Sequence, residues 1–102
     1  MKMSRIALHY AADLNKIKVT VFLIAKHANV NAQDDNDQTA LHLASTKGLS
    51  EMVRTLLEFG ADIKLRDKNC CTALHHAVEH NYIETATILV KRGVDINAED
   101  YR

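Results

Sequence analysis

The 102-residue sequence has no proline, no tryptophan, only three glycines and an aromatic fraction of 5 %. It also has no net charge, since 13 Lys and Arg balance 13 Asp and Glu. That balance exerts no overall pull toward nucleic acid or an anionic membrane, so neither is expected as a partner. No run of about 18 apolar residues occurs, which leaves nothing to span a bilayer. The opening stretch MKMSRIALHYAADLN has two basic side chains but no long apolar core before a small-residue cleavage site, so it does not read as a signal peptide. Cys70 and Cys71 are the only cysteines and are adjacent. Neighbouring thiols rarely bridge each other, so a disulfide framework is excluded and a reducing setting, intracellular and most simply cytoplasmic, is expected. Also missing are a phosphate-cradling glycine loop, a nucleophile elbow and a set of paired carboxylates. Neither catalysis nor a cofactor is therefore expected.

What is present is ordinary globular material, 47 % hydrophobic and 25 % charged, set out with a strict period. Thr39-Ala40-Leu41-His42-Leu43-Ala44 returns 33 residues later as Thr72-Ala73-Leu74-His75-His76-Ala77, and 33 residues earlier as Ile6-Ala7-Leu8-His9-Tyr10-Ala11. Leu23-Ile24, Leu56-Leu57 and Leu89-Val90 keep the same register, as do Ala28-Asn29-Val30-Asn31, Ala61-Asp62-Ile63-Lys64 and Val94-Asp95-Ile96-Asn97. A gapless period of this length marks a stack of supersecondary units.

The residues of the middle copy explain why such a unit folds. Thr39 is placed to cap the orphan N–H groups of a helix running to about Thr46. Leu41, Ala44 and Ser45 fall on one face of it. Gly48 suits a left-handed stop. A second helix from about Ser50 carries Met52, Val53, Leu56 and Leu57 at helical spacing, and Gly60 ends it. Neither helix can bury its apolar stripe alone, whereas stacked copies share one continuous core.

The T-A-L-H-x-A hexamer, the L-L-x-x-G-A-D-I-x ending and the 33-residue period together resemble the ankyrin repeat over essentially the whole chain. The resemblance implies an all-α repeat fold, an ankyrin-type solenoid of helix-turn-helix units joined by short β-hairpin loops. Read this way, residues 1–102 form one domain with repeats at 1–33, 34–66 and 67–99, and 100–102 open a further one. It also implies that His9, His42 and His75 link neighbouring loops by hydrogen bonds. Alanine replaces the family's usual proline after the capping threonine, which forfeits only a pre-set backbone angle. The first copy lacks the threonine cap, having Ile6 there, and has Asn15 and His27 where the second has glycines. It is expected to be the softest part of the stack.

Three groups of residues invite a chemical reading. Cys70, Cys71, His75, His76 and His80 are potential zinc ligands. Against that, His75 has a framework role and the cysteines are expected at a loop tip pointing away from the helix, so no metal is expected. Neither thiol is expected to be activated, with only Lys68 as a basic neighbour. Asp34-Asp35-Asn36-Asp37 looks like the start of a calcium loop, but Thr39 and Ser45 stand where glycine and glutamate are required, so the run reads as a polar turn.

The function implied is that of a non-enzymatic protein-interaction module or scaffold. In ankyrin-like stacks the loop tips and the exposed face of each first helix form the groove, which here gives Arg5, Asp13 and Lys26 in the first copy. The second contributes Asp35, Asn36, Gln38, Thr46, Lys47 and Phe59, and the third Lys68, Asn69, Cys71, Glu79, His80 and Arg92. Lys2, Met3, Leu14, Tyr101 and Arg102 extend the set. Phe59 stands where the other copies have Lys26 and Arg92, which makes it the expected anchor. The lysines and Arg92 suggest a partner with some acidic character. Val19, Val21, Phe22 and Leu23 at one end, and Ile83, Ile88, Leu89 and Val90 at the other, are expected to remain open. The alternatives are that the chain is a slice of a longer array, that it regulates a larger protein, or that it self-associates through these ends. Asn31 and Asn97 also resemble the ankyrin asparagines that a dioxygenase hydroxylates.

Overall fold

A computed structural model describes residues 5–93. Six helices follow one another: α1 (Ala7–Asp13), α2 (Ile17–Ala25), α3 (Ala40–Thr46), α4 (Ser50–Glu58), α5 (Ala73–Glu79) and α6 (Ile83–Arg92). Their starts repeat the 33-residue sequence period, at 7, 40 and 73 and again at 17, 50 and 83. The odd-numbered helices pack in one row, α1 on α3 on α5, and the even-numbered ones in a second, α2 on α4 on α6. No residue among those described lies in a strand, so the described linkers carry the turns of the expected hairpins without their ladders.

Each odd-numbered helix is fixed at its start by the hexamer. In α3 the Thr39 hydroxyl accepts the His42 N–H at 3.2 Å, and His42 Nδ1 accepts the Thr39 N–H at 3.0 Å. Thr72 and His75 repeat the arrangement at the start of α5. In α1 only half of it survives. His9 Nδ1 accepts the Ile6 N–H at 3.0 Å, but Ile6 has no side-chain oxygen to return the bond. Because Nδ1 must be bare to accept, Nε2 carries the proton and donates to the carbonyl of a following loop. His9 reaches the Ala32 carbonyl at 2.9 Å and His42 reaches that of Cys71 at 3.0 Å, the loop-linking role expected of them.

The core runs along the stack. Leu8, Leu41, Met52, Val53, Leu56 and Leu89 are essentially inaccessible, and alanines 12, 40, 44, 73 and 77 let the odd-numbered row close up. Full burial of one such leucine is worth about 1.5–3 kcal/mol. The burial is uneven: α3 buries every residue from Ala40 to Ser45, whereas α2 fully buries only Thr20. Of the apolar residues expected to stay open at the two ends, Ile88 and Leu89 are instead part of the core. α6 packs on both α4 and α5, and these two residues lie on its covered side. Ile83, Val90, Val19 and Phe22 are exposed.

Left-handed backbone recurs at matching positions. Asn15, Gly48 and Asn81 have φ of 60°, 69° and 61° between the helices of each pair. His27 at 74° and Gly60 at 95° follow the second helix. Gly93, the third member of that row, departs from it at −90°.

Candidate functional site

Two buried aspartates organise the loops that join the copies. Asp34 Oδ1 accepts the backbone N–H groups of Asn36 at 2.9 Å and Gln38 at 3.0 Å. Asp67 does the same for Asn69 at 2.9 Å and Cys71 at 3.0 Å. Each loop is closed by a backbone bond, Asp34 N–H to the Gln38 carbonyl and Asp67 N–H to that of Cys71. The tips are tied together in turn, since the Lys68 N–H donates to the Asn36 carbonyl at 3.0 Å. The acidic run from Asp34 is thus a polar turn whose first carboxylate is committed to backbone amides.

The two aspartates have different counter-groups. Arg5 meets Asp34 Oδ2 at 3.0 Å. The corresponding residue of the next copy, Gln38, is neutral and lies 3.5 Å from Asp67 Oδ2, while His76 Nε2 approaches the same oxygen at 2.7 Å. Burial works to raise both carboxyl pKa values. At Asp34 the Gln38 and Asn36 amides and Arg5 outweigh it, at Asp67 the His76 bond and the Cys71 and Asn69 amides do, and both groups end below the ordinary value.

The expected groove residues fall on two separate edges of the stack. Asp35, Asn36, Lys68 and Asn69 crown the loop tips, with Arg5, Gln38 and Cys71 just behind them. Asp13, Thr46 and Glu79 end the odd-numbered helices, and Lys47 and His80 cap them. There Lys47 Nζ bridges to the Asp13 carboxylate at 3.2 Å and to its carbonyl at 3.0 Å, and the His80 ring stacks on Tyr82 at 5.9 Å. Thr46 turns its hydroxyl back to the His42 carbonyl.

Lys26, Phe59 and Arg92 are not with them, because they sit at the far ends of α2, α4 and α6. Phe59, 43 % exposed, is separated from Lys47 by the nine residues of α4, a rise of about 13 Å. The two therefore do not form one anchor point. Lys2, Met3, Asn97, Tyr101, Arg102 and the further repeat opening at 100–102 lie outside the described residues.

Of this surface, Tyr10 and Asp67 were not among the residues the sequence singled out, and His76 was singled out only as a potential zinc ligand. Tyr10 takes the fifth hexamer position, where Leu43 is buried, yet it is 41 % exposed with the Arg5 guanidinium 5.9 Å from its ring centre. His76 takes the same position in the third copy and turns to Asp67. Asp67 itself was passed over. The repeat alignment, with an aromatic and a histidine at a core position, was the available signal. A correction also follows for Cys71. Cys70 is exposed, but the Cys71 sulfur is not directed away from the helix; with Asp67 and His76 it forms a group whose ligand atoms all lie within 4.8 Å of one another.

Asn31 braces two copies. Its Oδ1 accepts the Asp62 N–H at 2.7 Å and its amide donates to the Gly60 carbonyl at 3.3 Å. At the α5–α6 end an apolar groove of about 430 Å³ is lined by Ala77, Val78, Tyr82, Ile83, Ala86 and Val90 among others, with Ile83 71 % exposed. No helix among the described residues is long and apolar enough to cross a membrane.

No curated protein matches the chain. The sequence model for ankyrin repeats in three copies, a family typically non-enzymatic and generally devoted to protein–protein interaction, matches residues 5–100. With matching helix pairs, hexamer caps and histidine links already in place, that span makes this chain a member of the ankyrin repeat family.

Proposed function

We propose that the chain is a non-enzymatic interaction module that holds a protein partner against its loop tips and the exposed side of α1, α3 and α5. One observation carries the reading. Buried positions repeat the same residue, as in Leu8 and Leu41 or Ala11, Ala44 and Ala77. The outward positions differ from copy to copy, as in Arg5, Gln38 and Cys71, or Asp13, Thr46 and Glu79. Packing constrains the first set and leaves the second to specificity. Tyr10 supplies the aromatic surface expected of an anchor, and Lys68 and Asn69 a polar rim.

A partner with acidic character fits Lys68 at the tip. Lys47 and Arg5 add less than their charge suggests, being engaged by Asp13 and Asp34. The free thiols Cys70 and Cys71 suit the reducing interior of a cell. Affinity capture with the intact chain, compared with a Tyr10→Ala, Lys68→Glu, Asn69→Ala variant, tests the surface. Equal recovery of the same protein by both, with equal melting curves, removes it.

The α5–α6 groove supports a second reading, in which the end faces pack on a further repeat, another region of a longer protein, or a second copy. Ile83→Glu would then abolish a concentration-dependent rise in sedimentation coefficient. A monomer at every concentration excludes the second copy.

A further inference from the structure

We propose that Asp67, Cys71 and His76 form a binding site for a zinc-type divalent cation, with the remaining coordination position left to water. Their ligand atoms lie within 4.8 Å of one another, and His76 Nε2 and Asp67 Oδ2 are already 2.7 Å apart. Tetrahedral zinc with bonds of about 2.0–2.3 Å needs its ligands roughly 3.3–3.7 Å apart. Side-chain movements of about an ångström therefore suffice. Three protein ligands and an open fourth position are an established zinc arrangement. The thiol selects a borderline-soft ion over calcium or magnesium.

The surrounding structure holds the three groups in place. Asp67 keeps Oδ1 on the Asn69 and Cys71 amides, which leaves Oδ2 to turn toward a cation. The Cys71 backbone is anchored by the bond from His42 Nε2 to its carbonyl. The His42 ring meets the His76 ring edge-on at 5.8 Å, fixing its plane. Supports of this kind orient metal ligands.

The repeat itself singles out the third copy. At the corresponding positions the second copy has Asp34, Gln38 and Leu43, and the first has Arg5 and Tyr10 at the last two. Only the third combines an aspartate with a thiol and an imidazole there. The simpler role for His76 is that of counter-group to Asp67, as Arg5 is to Asp34. That role does not need the Cys71 thiol close by, and the thiol's own hydrogen bond is a long one, 3.7 Å to the Asn69 carbonyl.

Binding exchanges protons in a defined way. Cys71 releases its thiol proton to solvent as sulfur bonds the cation. The hydrogen bond between His76 and Asp67 opens, and the proton on His76 Nε2 moves through solvent to Nδ1, so that Nε2 and Asp67 Oδ2 each offer a lone pair. Without a cation the thiol stays protonated, because burial first, and then the negative charges of Asp67 and Glu79, push it above its ordinary value.

Cobalt(II) serves as the spectroscopic probe on the metal-free intact chain. The expected result is a near-ultraviolet sulfur-to-cobalt charge-transfer band with strong visible d–d bands, both displaced by zinc, and a melting temperature that zinc raises. Cys71→Gln and His76→Leu install residues with which the second copy already packs. Cys71→Gln should abolish the charge-transfer band, and His76→Leu should weaken it at a given cobalt concentration. Each variant should reduce zinc affinity more than about 100-fold, beyond the loss of an outer-sphere partner. Cys70→Ser and His80→Ala should retain the spectrum and affinity. Absence of the band in the native chain, its survival in Cys71→Gln, or its loss in Cys70→Ser overturns the assignment.

Discussion

Gly48 combines two constraints that can be separated. It turns the chain between α3 and α4 at φ +69°, and a Cβ built there would lie 2.7–2.9 Å from three atoms of the Tyr82 ring, including the one nearest its backbone. Alanine at 48 therefore has a left-handed penalty of about 1–2 kcal/mol. It also displaces a ring at its base, which costs a further ~1 kcal/mol through an off-rotamer side chain or lost packing. The expected loss is about 2–3 kcal/mol by equilibrium urea unfolding, or a melting temperature lowered by roughly 10–20 °C at this size. In a Tyr82→Ala background only the backbone part should remain, so the double-mutant cycle should give a coupling near 1 kcal/mol. Gly48→Asn should recover part of the backbone cost, since Asn15 and Asn81 adopt this conformation in the other copies. An equal cost in both backgrounds would show that Tyr82 is not seated on Gly48. No cost in either would refute the left-handed turn.

Other outcomes follow from single features. The Ser45 hydroxyl is buried without a hydrogen-bond partner, and Ala12 occupies its position in the first copy. Ser45→Ala should therefore stabilise the chain by about 1 kcal/mol in the same urea assay. His27 holds φ +74° where Gly60 stands in the second copy. His27→Gly should relieve about 1–2 kcal/mol of strain, partly offset by unfolded-state freedom, and raise the melting temperature by a few degrees. Acid should act in two stages in a stability–pH titration. Burial, foremost, holds the His42 pKa below its ordinary 6.5, so the unfolded chain takes up the proton more readily. The His42 contribution is therefore complete above about pH 6.5 and declines as the pH falls below it. Asp34 and Asp67, held below the ordinary 3.8, contribute stability above that value which is lost as the pH falls through it. A profile flat from pH 7 to 5 would remove His42 from the account.

The framework was readable because each repeat position has one physical task. Thr39 and Thr72 cap, Leu41 and Leu56 pack, and Gly48 and Gly60 turn, and these tasks leave a periodic trace in the residues. The Asp67 group was not readable in the same way. Whether the Cys71 sulfur turns outward or toward α5 depends on a loop that Asp67 folds through backbone amides, and period and composition do not report that. That Phe59 lies apart from the other expected groove residues of its copy has a related reason. Equivalent positions in successive copies stack side by side, but two positions within one copy can lie at opposite ends of its second helix. Ile88 and Leu89 were misplaced because an end helix still turns one face toward its neighbour.

The bonds that stitch one copy to the next join residues close in number: 29 positions apart from His42 to Cys71, 31 from Asn31 to Asp62 and 35 from Ser50 to Thr85. A chain tied together at such short range resists force like a zipper. A load applied to its two ends falls first on an outer helix pair, which among the described residues has a neighbour on one side, and reaches α3 and α4 only after that pair has peeled away. The middle copy should then be the last to exchange its amide hydrogens and the last to yield under tension, so a partner spanning all three copies would also act as a clasp against unzipping.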